Sequence, residues 1–107
     1  MSVSEERAEK ALRYLAETDQ EFARLESYYN GLDRLRHPTR AAVFEQAAGN
    51  NAEREARAYN SREYRELIQK IDQAERDYLE MKYKRETEKL IWEHWRSVNA
   101  NRRYGSA

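Results

Sequence analysis

The stretch "YRELIQKIDQAERDYLEM", residues 64 to 81, decides how this chain folds. Steps of alternately three and four residues from Tyr64 land on Leu67, Ile71, Ala74, Tyr78 and Met81, and every stop is apolar or aromatic. That spacing places one narrow stripe along a helix, the pattern of a coiled-coil seam. Helix formers fill the positions between, and no Gly or Pro occurs from Ala52 until Gly105. The spacing predicts one long second arm over residues 52–98, roughly 70 Å in length at 1.5 Å per residue.

The same step reads through the first part of the chain. Ala8, Ala11, Leu15, Thr18, Phe22, Leu25, Tyr29 and Leu32 form a matching stripe, flanked by Leu12, Tyr28 and Leu35. Ser2 or Ser4 can cap this arm, and Glu5 and Glu6 suit the positive end of a helix. The first arm is expected over residues 4–48. Gly31 weakens it, and Pro38 in "RHPTR" disfavours helical geometry at His37, so a kink or break belongs near Pro38. "PTRAAVFEQAA" then reads as a short second piece with Pro38 in its first turn. Gly49, Asn50 and Asn51 combine a left-handed C-cap with N-cap residues, and the chain should reverse there.

Two arms joined at 49–51 make an all-α, elongated antiparallel helical hairpin, a single domain of 107 residues that ends in a basic tail over 99–107. The seam is carried by Leu15, Phe22, Leu25 and Leu32 against Leu67, Ile71, Tyr78 and Met81. Beyond Met81 the frame meets Arg85 and Glu88, two misses, before Trp92 and Trp95. A frame shifted by one finds Thr87, Ile91 and Val98, as though the seam loosens near Arg85.

Composition agrees with a seam rather than a thick core: 37% of residues are charged and 39% hydrophobic. Glu–Lys and Glu–Arg pairs four apart, such as Glu6–Lys10, Glu66–Lys70 and Glu80–Lys84, suit the outer helix faces. So thin a core commonly needs a staple, and the chain has no cysteine, so self-association into a dimer or larger helical assembly is expected. With no apolar run of about 18 or more residues and no signal peptide, no membrane span and a cytoplasmic home are expected.

A search for chemistry returns no catalytic residues, metal site or cofactor site. His37 and His94 are the only histidines and stand alone, whereas metal ligands cluster. There is no glycine-rich phosphate loop, so the expectation is a protein that is not an enzyme. The tyrosines at seam spacing read as packing residues.

The C-terminal stretch "LIWEHWRSVNANRRYGSA" is the candidate contact region. From Lys82 to Arg103 seven positive residues face three negative ones, although the whole chain carries no net charge. On one reading the cations complement the negative helix end and Trp92 and Trp95 close the seam near Ala8 and Leu12. On the other, Trp92, Trp95, Arg96, Arg102, Arg103 and Tyr104 contact a partner, either an acidic protein face or nucleic-acid phosphates.

"AEREARAY" (52–59) and "WRSVNANRR" (95–103) resemble segments of small uncharacterised helical proteins of tailed bacteriophages and prophages, of the early or recombination-region type. "HPTR" at Pro38 departs from that pattern. The resemblance brings no catalytic residues. It implies a phage protein that docks on a host or phage protein and modulates a nucleic-acid-processing enzyme, as Gam-like inhibitors do. An accessory DNA- or RNA-binding protein of phage recombination or replication, and a purely structural coiled-coil assembly protein, are the alternatives. Zero net charge favours the protein partner.

Overall fold

The computed structural model describes residues 2–105, with side chains to residue 103. Its described residues form four helices and no strand: α1 (Glu5–Asp33), α2 (Arg36–Gln46), α3 (Asn51–Tyr59) and α4 (Arg62–Gly105). The protein is an all-α helical hairpin. It divides into two compact units, one joining the residues up to Ala23 to those from Leu79 onward, the other spanning Arg24–Tyr78.

Within the second unit the seam lies where the spacing puts it. Ile71 is 1% exposed, Leu67 and Ala74 are buried, and Leu25, Tyr29, Leu32 and Tyr78 are half-buried. The pairing is antiparallel and locked by a reciprocal clamp. Tyr29 donates its hydroxyl to Glu75 at 2.6 Å and Tyr78 donates to Glu26 at 3.1 Å, while the two rings stack with centroids 5.7 Å apart. Each Glu–Tyr pair is three residues apart in sequence, one helical turn. Antiparallel helices therefore bring Tyr to Glu twice around one local twofold.

The first arm breaks at Arg34–Leu35, one turn before the expected position near Pro38. A proline ring excludes the carbonyl four residues earlier, and for Pro38 that residue is Arg34. Pro38 itself sits inside the first turn of α2, which begins at Arg36. An ion pair from Arg36 to Asp33 at 2.7 Å spans the break. The helix also stops earlier than residue 48: α2 ends at Gln46, and Ala47 is extended.

The reversal at 49–51 is present. Gly49 has φ +111°, where a Cβ would stand 2.6 Å from a Glu53 carboxylate oxygen, so glycine is needed there. Asn50 caps α3 by accepting from the Glu53 amide at 2.9 Å. α3 then packs against α2: Arg54 lies 4.2 Å from the Phe44 ring centroid and donates to the Phe44 carbonyl at 3.1 Å.

The continuous second arm expected over 52–98 needs two corrections. It is interrupted at Asn60–Ser61 without any Gly or Pro. The Asn60 amide side chain donates to the Ala56 carbonyl at 2.9 Å, and Ser61 accepts from the Tyr64 amide at 3.2 Å. Short polar side chains that bond to the backbone thus end one helix and cap the next. The second correction concerns its far end, where α4 continues to Gly105 and residues 99–105 are helical rather than a separate tail. No breaker intervenes to stop it.

In the first unit Ser4 caps α1, accepting from the Arg7 amide at 3.1 Å. Ala8 and Ala11 are fully buried, and Leu15, Thr18, Phe22 and Met81 are half-buried. The seam does not shift frame near Arg85. Arg85 and Glu88 themselves occupy it, half-buried like Trp92 and Trp95, whereas of the shifted frame Thr87 and Val98 are exposed and Ile91 is half-buried.

Candidate functional site at the end of α4

Two polar insertions make the first unit's seam unusual. Arg85 donates to the Leu15 carbonyl at 2.9 Å, to the Thr18 hydroxyl at 2.6 Å and to Asp19 at 2.6 Å. Its guanidinium also lies 5.0 Å from the Phe22 ring centroid. Arg7 and Glu88 form an ion pair at 2.8 Å. The hydrogen bond from Arg7 holds the Glu88 carboxyl below its ordinary range, against the opposing effect of burial. These residues look like misses in an apolar count because the count cannot see their partners on the other arm.

Beyond this layer, the last turns of α4 carry the residues singled out in sequence. Trp92 and Trp95 stack on each other, centroids 5.5 Å apart and ring planes 29° from parallel. Trp95 shares a concavity with Ser2 and Val3. Together with His94, Val98, Asn99 and Arg102 these residues line a cavity of about 320 Å³. Arg96 and Arg103 are exposed, seven residues apart on one side of α4 and outside that cavity. The structure thus brings Trp95 and Arg102 into one concavity, leaves Arg96 and Arg103 on an adjoining face, and stacks Trp92 behind Trp95. The side chain of Tyr104 lies outside the described residues.

Sequence reasoning missed Ser2, Val3, Val98 and Asn99, and treated His94 as a solitary side chain. The signal was present. With α4 read through to Gly105, His94 and Val98 are one turn apart, and Trp95, Asn99 and Arg102 follow at four and three. From His94 to Arg103 no Asp or Glu occurs, so neither the cavity wall nor the flanking helix face carries negative charge from this segment.

A second concavity of about 440 Å³ lies in the other unit between α2 and α3, with Ala41, Phe44, Ala58 and Tyr59 among its walls. Its Arg40 is already engaged, 4.7 Å from the Tyr59 ring centroid and 5.3 Å from that of Tyr64. Among the described residues no group of three or more His, Cys, Asp or Glu side chains is placed to hold a metal ion. No helix among them is long and apolar enough to cross a membrane. Comparison with known proteins finds no family model, curated protein or solved structure that matches the chain.

Proposed function

We propose that this chain is a non-enzymatic helical binding protein that docks, through the end of α4, on a host or phage protein of nucleic-acid processing in the cytoplasm and modulates it. The observation that carries the reading is the cavity formed by Val3, Trp95 and Val98 with Arg102 at its wall. An apolar side chain of a partner fits such a concavity, and carboxylates around that side chain would meet Arg96 and Arg103 on the adjoining face. The stacking of Trp92 on Trp95 favours a protein over nucleic acid. Base-stacking proteins present open aromatic faces, and this pair spends one face of each ring on the other.

Nucleic acid is the second reading, supported by three arginines on one helical segment without an intervening acid. Two measurements separate the readings. A photo-crosslinking residue at Val98 should yield a discrete protein adduct in the producing cell, lost when Arg96 and Arg103 are changed to Glu. Fluorescence anisotropy with single- and double-stranded DNA at low salt should show no binding. Salt-sensitive DNA binding that disappears with Arg96→Ala, Arg102→Ala, Arg103→Ala would instead give the site to phosphates.

A further inference from the structure

The concavity between α2 and α3 is built from two helical faces. On α2, His37, Ala41 and Phe44 follow at steps of four and three, and on α3 Asn51, Glu55 and Ala58 do the same. Ala41 and Ala58 contribute only methyl groups to the wall, Ala58 being 2% exposed. A hollow of about 440 Å³ is left beside the larger rings of Phe44 and Tyr59. Both rings are held by cations: Arg54 lies 4.2 Å from the Phe44 centroid and Arg40 4.7 Å from that of Tyr59. Tyr64 also meets Tyr59 edge-on, centroids 5.7 Å apart. The walls are therefore ordered before anything enters.

Arg40 supplies the charge. It is half-buried at the wall, its guanidinium lies over the Tyr59 and Tyr64 rings, and it donates to the Tyr64 hydroxyl at 3.3 Å. Those contacts orient the group without neutralising it. Arg7, Arg36, Arg62 and Arg85 each have a carboxylate at 2.6–2.8 Å, whereas among the described residues Arg40 has none at ion-pairing distance. An oriented, half-buried cation beside an apolar hollow is complementary to a carboxylate carried on an apolar body. Glu55 on the α3 wall is exposed, so water screens its repulsion of such an anion. His37, three residues before Arg40, adds an imidazole to the same wall.

We infer that this hollow binds a small carboxylic acid with an aromatic or branched aliphatic body. The body lies against Ala41, Phe44, Ala58 and Tyr59, and the carboxylate meets Arg40. Small-molecule sites run from about 300 to 1,000 Å³, and a volume near the lower end suits a single ring or a short branched chain. This inference is independent of the docking reading, which concerns the other unit.

Three probes with the same ring and chain but different head groups test it: 3-phenylpropionate, 3-phenylpropanol and 3-phenylpropylamine. Titrated into the isotope-labelled full chain at pH 7, the carboxylate should shift the amide resonances of residues 37–44 and 51–59. It should bind at least about fivefold more tightly than the alcohol, and the amine should bind no better than the alcohol. Arg40→Gln should lower the affinity for the carboxylate to that for the alcohol, whose own binding stays as it was. Ala41→Phe, which fills the hollow and leaves the charge in place, should abolish binding of both while helicity by circular dichroism is unchanged. A carboxylate advantage that survives Arg40→Gln would overturn the inference. So would tighter binding of the amine, or no shift in these residues at about 10 mM carboxylate, well above the millimolar range of weak ligands.

Discussion

Replacing Arg85 by alanine should destabilise the fold by about 2–3 kcal/mol, although the residue looks like a fault in the seam. Two partly buried hydrogen bonds would go, those to the Leu15 carbonyl and the Thr18 hydroxyl, each worth about 1 kcal/mol. Loss of the Phe22 contact adds about 0.5–1 kcal/mol. The bond to Asp19 is discounted, because that carboxylate is 66% exposed and solvent screens it. Arg85→Leu should behave differently, staying within about 1 kcal/mol of the parent, because an apolar side chain of similar reach restores the stripe while Thr18 keeps its own bond to the Tyr14 carbonyl at 2.7 Å. Urea unfolding followed at 222 nm, at one fixed protein concentration because association adds to stability, reads both changes. With a slope of about 1.5 kcal/mol per molar, the alanine midpoint should fall by about 1.3–2 M. An alanine variant within about 0.5 kcal/mol of the parent would refute the claim that Arg85 holds the arms together. A leucine variant as unstable as the alanine one would show that hydrogen bonding, not filled space, is what the position requires.

Ile71→Ala removes the most deeply buried large side chain, 1% exposed, and should cost about 2–5 kcal/mol in the same assay. Asn50→Ala should cost about 1 kcal/mol through loss of the α3 cap. The Glu88 carboxyl titrates lower in the folded protein than in the unfolded chain, chiefly because Arg7 donates to it. Its stabilising contribution is therefore complete above the unfolded value and disappears as pH falls through the folded one. Urea midpoints measured downward from pH 7 should decline in that acid window, and Glu88→Gln should flatten the decline.

The seam was legible because burial repeats with the helical period, and each stop from Ala8 to Leu32 and from Tyr64 to Trp95 is buried or half-buried. The reversal was legible because Gly49 and Asn50 supply conformations and bonds that few other residues supply. What escaped was of two kinds. The break at Asn60–Ser61 is made by side chains that compete for backbone groups, and the same residue types also occur inside helices, so their presence alone does not announce a stop. Arg85 and Glu88 escaped because their seam positions are justified only by Leu15, Thr18, Asp19 and Arg7, some seventy to eighty positions away in sequence. At the end of α4, Trp95 and Arg102 were identifiable as candidates, but the cavity also needed Ser2 and Val3 from the opposite end of the chain.

The first unit admits more charge to its seam than the second does. Its inner face contains Arg7, Thr18, Arg85 and Glu88 among two buried alanines and the half-buried Leu15, Phe22, Met81, Trp92 and Trp95. Alanines bury little area and let the backbones approach closely, and the polar pairs contribute specificity of register more than net energy. The second unit, with Leu67, Ile71 and the Tyr–Glu clamp, needs no such help. A seam that gives positions to Arg85 and Glu88 among its apolar residues relies on their partners across the arms to fix its register.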